Sequence, residues 1–116
     1  MGNFEKLIVW QRSKNFAVHV YRITASGAFS SDFGLRDQIR RAAVSIPSNI
    51  AEGDESGTNK QAVRFFYIAK GSNAEVLTQA IIAFEIGYIS REQFTGIQTE
   101  CNIIGKMLTK LIRARK

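Results

Sequence analysis

The sequence predicts an all-α protein, an antiparallel up-down-up-down four-helix bundle, and three observations carry that prediction. Apolar residues recur at alternating spacings of three and four over long stretches, the stripe a packed helix shows. No segment alternates polar and apolar residues over more than a few positions, so strand signals are nearly absent. Capping residues and glycines mark the boundaries of four helices of about 22–28 residues, each about 33–42 Å long.

Asn3 can cap a first helix from about Phe4 to Ser26, with Glu5 at the positive end of the dipole and Gly27 just past the C-terminus. Phe4, Ile8, Val9, Phe16 and Val20 exceed what one bundle face needs, so a self-association surface is expected there. Ser31 can cap the second helix, with Asp32 in its first turn. The run G-D-E-S-G at 53–57 reads as the loop that follows. Thr58 and Gln61 have capping-box spacing and open a third helix, from Asn59 to about Ile86, ended by Gly87. Ser90 and Gln93 form a second such box. Beyond them Phe94, Ile97, Cys101, Ile104, Leu108 and Leu111 hold a strict seam along the fourth helix.

The second helix carries the chain's only proline. Leu35, Ile39, Ala42, Ile46, Asn49 and Gly53 form its stripe, and Pro47 interrupts it by removing the amide that would bond the Ala43 carbonyl. In a helix interior this costs about 3 kcal/mol. The neighbours of Pro47 are small, and so are Ala69, Gly71, Ser72 and Ala74 in the third helix. The two helices are therefore expected to approach closely, with a bend near Pro47 and with Ser45, Ser48, Asn49 and Gln79 satisfying the backbone groups it exposes. On this reading Pro47, Asn49 and Gly53 are architectural. Glu52 is expected to pair with a neighbouring Arg or Lys.

Four stretches carry a resemblance: F-E-K-L-I-V-W-Q at 4–11, F-G-L-R-D-Q-I-R-R-A-A-V-S-I-P-S-N-I-A-E-G at 33–53, F-F-Y-I-A-K-G-S-N-A-E at 65–75 and K-M-L-T-K-L-I at 106–112. Through them the chain resembles the four-helix-bundle family of 23S rRNA intervening-sequence proteins, which includes accessory proteins of diversity-generating retroelements. It departs from the family pattern at Asn73-Ala74, where a larger apolar residue is usual. The resemblance implies an antiparallel bundle assembling into a homo-oligomer, a pentamer, without established enzymatic activity. It also implies a basic scaffold of the kind that binds a reverse transcriptase and nucleic acid.

Composition narrows the function classes. The 116 residues suit a single domain, 1–116. No apolar run reaches 18 residues and the N-terminus lacks signal-peptide features, so no membrane partner and a cytoplasmic location are expected. Sixteen Lys and Arg against ten Asp and Glu give a net charge of +6 and a pI near 9.8. That balance favours a polyanionic partner such as RNA or DNA.

Catalytic patterns are poor. A di-metal bundle needs Glu-x-x-His pairs, and no Glu lies three residues before the only histidine, His19. Cys101 lies on an apolar seam and reads as a small core residue. Arg12 and His19 share a face at a spacing used by helical ribonucleases of the HEPN class, but a partly buried, hydrogen-bonded histidine is the preferred reading. No catalytic residue, metal or cofactor is assigned.

The basic residues do form a pattern. Lys106, Lys110 and Arg113 follow one another along one face of the fourth helix, Arg115 and Lys116 extend the patch, and no acid follows Glu100. Arg36, Arg40 and Arg41 form a second group, with Asp37 placed to pair with Arg40 or Arg41. The leading expectation is a non-enzymatic, basic oligomeric scaffold binding RNA or DNA through phosphates, with a nucleic-acid enzyme such as a reverse transcriptase as a further partner. The alternatives are a protein-interaction module for an acidic partner and, behind it, a HEPN-like ribonuclease.

Overall fold

The computed structural model describes residues 3–116, and it is all-helical. A 3₁₀ turn, Phe4–Lys6, precedes α1 (Ile8–Ile23), α2 (Gly27–Ser31), α3 (Phe33–Glu55), α4 (Asn59–Glu85) and α5 (Arg91–Arg115). The four long helices pack as a ring in which α3 touches α1 and α4, and α5 touches α4 and α1. The body measures 43 × 21 × 20 Å, and its length is that of a 27-residue helix at about 1.5 Å per residue.

Three boundaries differ from the sequence reading. Asn3 makes no side-chain cap; α1 begins at Ile8 after extended Leu7. Between the first two long helices the chain forms a short helix, α2, that places Phe29 in the core against Tyr88, ring centroids 5.4 Å apart. The cap of α3 is Asp32 rather than Ser31: its Oδ1 accepts from the Leu35 amide at 3.1 Å and its Oδ2 from the Tyr88 hydroxyl at 2.9 Å. Thr58 Oγ1 accepts from the Gln61 amide at 3.1 Å without the reciprocal half of the expected box, whereas Ser90 and Gln93 form the full reciprocal box. At the end of α4, Gly87 takes φ +85°. Its amide reaches the Phe84 carbonyl and that of Tyr88 the Ala83 carbonyl, closing a Schellman turn that a Cβ would strain.

Most of the expected 53–57 loop is helix. Gly53 is buried, because a Cβ there would lie 2.6 Å from Cε1 of the fully buried Phe66 ring and 3.1 Å from the Ala62 carbonyl oxygen. It permits close approach of α3 to α4 and is not a turn residue. Further along, Ser72 donates to Ser45 Oγ at 2.9 Å and Gln79 to Gln38 at 3.3 Å, so contact partners run in opposite directions along the two helices.

α3 continues through buried Pro47. Asn49 Nδ2 donates to both the Ser45 carbonyl and Ser45 Oγ at 2.8 Å. It thus serves a carbonyl two residues beyond the one the proline frees, while Gln79 binds Gln38 instead. Glu52 is exposed and makes no ion pair among the described residues; nearby Asp54 does, 2.8 Å from Arg115.

Candidate nucleic-acid interface

The core-facing stripe of α5 (Ile97, Cys101, Ile104, Leu108 and Ile112) fixes the rotation of that helix. Lys106, Lys110 and Arg113 therefore stand exposed on the side turned toward α4. The Asn73 side chain sets the register of the two helices, since its Nδ2 donates to the Cys101 carbonyl at 2.9 Å. That register brings Lys70 of α4 to the same place. The four cations line a groove of about 790 Å³, floored in part by Ala74 and Leu77. No carboxylate lines it, and none of the four cations makes a hydrogen bond or ion pair among the described residues.

Such a groove concentrates positive potential over low-dielectric walls and suits a chain of phosphates. Sequence periodicity showed three of its cations. It gave no sign of Lys70, which lies on another helix, and only the Asn73–Cys101 register reveals it.

The other basic residues lie elsewhere. Arg115 pairs with Asp54 and sits 5.5 Å from the Phe66 ring, and Lys116 sits 5.6 Å from the Tyr67 ring. Arg36 binds the Ser30 carbonyl and Asp37. Arg40 donates to Thr24 Oγ1 at 2.7 Å and stacks on Tyr21. Arg41 is exposed in a smaller α3–α4 groove, about 550 Å³, which also holds Asp37 and Glu75. The arginines of α3 are thus mostly engaged within the chain, and it is Arg36 rather than its two neighbours that takes Asp37.

A third groove, between α1 and α5, contains Arg12 and His19. Arg12 makes a bidentate pair with Glu100, at 2.7 and 3.1 Å, which holds its guanidinium above the usual range and offsets its charge. His19 is exposed and makes no hydrogen bond among the described residues, contrary to the partly buried, hydrogen-bonded histidine expected. Burial, reinforced by the charge of Glu100, pushes the Cys101 thiol up to about 12, so it is not a nucleophile near neutral pH. No three His, Cys, Asp or Glu side chains cluster to hold a metal among the described residues. Among the described residues, no helix is long and apolar enough to cross a membrane.

One atom of the basic groove is anomalous. Asn73 is 7% exposed, and its Oδ1 has no donor among the described residues. An orphan of this kind costs about 1–3 kcal/mol.

The fold and groove define a class: a small basic helical bundle with a cation-lined cleft. The family model for the 23S rRNA-intervening sequence protein matches residues 5–110, and the chain belongs to that family. It is also similar to a crystal structure of a protein of unknown function from the S23 ribosomal protein family of Bacteroides thetaiotaomicron VPI-5482. The two share 26% identity and a TM-score of 0.84, over 90% of this chain and 98% of that one. No curated protein matches.

Proposed function

We propose that the protein is a non-enzymatic, basic scaffold that binds RNA or DNA through phosphate contacts and works as a homo-oligomer. The observation that carries this reading is the convergence of four unpaired cations from two helices on one groove without a carboxylate. The family's description, which refers to 23S rRNA, favours a nucleic-acid setting. A groove built this way binds backbone and is weakly sequence-specific.

Self-association is favoured by apolar surface left outside the core. Of the residues expected to form a self-association surface on the first helix, Val9, Phe16 and Val20 are buried in the core. The exposed apolar residues of α1 are Ile8, Val18 and Tyr21, while Tyr67, Ile68, Ile81, Ile82 and Ile86 are all exposed on or just past α4. The surplus thus lies more on α4 than on the first helix. Five subunits is the number the family resemblance implies, and light scattering reads it directly; a stable 13.0 kDa monomer at micromolar concentration refutes assembly. A nucleic-acid enzyme such as a reverse transcriptase is the protein partner such a scaffold would hold, and co-purification with one encoded beside it is the check.

The test of the main reading is a salt titration of affinity. Each phosphate contact contributes about 0.7 to the log–log slope on single strands and about 0.9 on duplex. Reversing Lys106, Lys110 and Arg113 to Glu should therefore flatten the slope by about 2 on single strands, with melting temperature little changed. An unchanged slope moves the site elsewhere, and no binding by wild type at low salt favours an acidic protein partner instead. Cleavage of labelled RNA that is lost in His19→Ala would make the protein an enzyme.

A further inference from the structure

No aromatic side chain lines the α4–α5 groove, but one stands just past its end. Among the described residues three aromatic rings are exposed: Tyr21, Phe33 and Tyr67. The first two lie under arginines that the protein itself fixes. Arg40, 4.5 Å from the Tyr21 ring, donates to Thr24 and to the Tyr21 carbonyl. Arg36, 4.6 Å from the Phe33 ring, donates to Asp37 and to the Ser30 carbonyl. Tyr67 differs. It is 48% exposed, and the cation over its ring is Lys116, 5.6 Å away, which makes no hydrogen bond or ion pair among the described residues. Such a contact is weak at an exposed site, so a better stacking partner can displace it. Helix spacing puts the ring in line with the groove. Lys70 and Ala74 line it, and Tyr67 precedes them on α4 by three and by seven residues, one turn and two. On the facing helix Arg113 lines the groove, and Lys116 follows one turn later. The Lys116–Tyr67 contact therefore closes the groove's end from both sides.

Resting on the reading above, we infer that Tyr67 is a base-stacking residue and that the groove takes a single strand of nucleic acid. The strand's phosphates run along Lys106, Lys110 and Arg113, and an unpaired base at the groove's end stacks on the Tyr67 ring in place of Lys116. The displaced ammonium stays beside the strand, within reach of a phosphate. From Lys106 to Lys116 the cations span about 15 Å of helix, the length of a short strand segment. A base in a duplex has both faces covered by its neighbours, whereas an unpaired one is free to stack. Every base has such a face, so the contact adds affinity for single strands without sequence preference. Ile81, Ile82 and Ile86 stand about 20–30 Å further along α4, so the ring serves the groove while they serve the contact between subunits.

The experiment measures binding of the full chain to four probes at one fixed salt concentration: a single-stranded DNA, the RNA of the same sequence, a DNA backbone of equal length without bases, and the DNA duplex. Wild type should hold the base-bearing strands about 5- to 150-fold more tightly than the abasic one, the range one stacked base supplies. Tyr67→Ala should lower affinity for the RNA and DNA strands by that same factor. It should leave abasic and duplex binding, the salt slope, the melting temperature and the assembly size little changed. Tyr67→Phe keeps the ring and should keep the affinity. Equal affinity of wild type for base-bearing and abasic strands overturns the inference but leaves the phosphate reading standing. So does full affinity in Tyr67→Ala, or a loss confined to RNA, which would assign the contact to the sugar. A change of assembly size in Tyr67→Ala places the ring between subunits and overturns the inference too. Absence of binding to all four probes overturns both.

Discussion

On one side of α4, against α3, small residues close the seam and side-chain hydrogen bonds lace it: Gly53 under Phe66, Ser72 on Ser45, Gln79 on Gln38. On the other side, against α5, the seam opens into a groove walled by four cations. The α3 side also has a depression, but there Arg41 shares it with Asp37 and Glu75, so its charge is balanced. One helix thus has a face committed to packing and a face left for a ligand. What separates them is carboxylate placement and residue size, not overall basicity.

The largest expected effect falls on the closed face. Gly53→Val should destabilise by about 3 kcal/mol, since the fully buried Phe66 ring has nowhere to go, with Gly53→Ala smaller at about 1–3 kcal/mol. Gly71→Ala, in an exposed position of α4 with nothing within 4 Å, should instead stabilise by about 0.5–1 kcal/mol. Chemical denaturation reads both, and equal effects at the two glycines would break the contrast. Next, Asn49→Leu should cost about 1–2 kcal/mol by removing the donor to Ser45. A melt at or above wild type would show that this carbonyl needs no second partner.

Arg115→Gln sharpens the open face. Its pair with Asp54 is largely screened from solvent, so the substitution should lower stability by about 1 kcal/mol while leaving the salt slope of nucleic-acid binding unchanged. A changed slope would add Arg115 to the groove cations.

The smallest effect belongs to the Asp32–Tyr88 contact, outside both faces. The Leu35 amide and then the Tyr88 hydroxyl hold the Asp32 carboxyl below the usual range, and the same bond raises the Tyr88 phenol. A lowered carboxylate stabilises above its unfolded value of about 3.9 and loses that contribution as pH falls through the folded value. A raised phenol stabilises below about 10 and loses its contribution as pH rises through its folded value. Tyr88→Phe should therefore lower the melting temperature at pH 7, with the gap narrowing in strong acid and in strong base. A gap independent of pH would show that ionisation of Asp32 and Tyr88 plays no part in the contribution of their bond.

Long helices with strong stripes and side-chain caps, α4 and α5 above all, were legible in the sequence because periodicity and capping agree there. The 53–57 segment was misread because its composition is that of a turn, while the buried contact of Gly53 with Phe66 and the Asp54–Arg115 pair extend the helix. Asn3 and Ser31 had the right chemistry for caps, but Asp32 gains a second partner in Tyr88, fifty-six residues away. The same limit governs the groove. Spacing on α5 aligned Lys106, Lys110 and Arg113, yet Lys70 and the orphaned Asn73 oxygen depend on a register between helices, which no single-helix pattern encodes.

The lone thiol offers a clock for that seam. Cys101 is 2% exposed, faces the Asn73 backbone carbonyl and is held protonated by its surroundings, so a thiol reagent reaches it only when α5 lifts from α4. The rate at which the folded protein is modified then reports how often the groove breathes. An occupant that bridges the two helices would slow that rate, so modification of Cys101, which lies at the groove's edge, reads its occupancy.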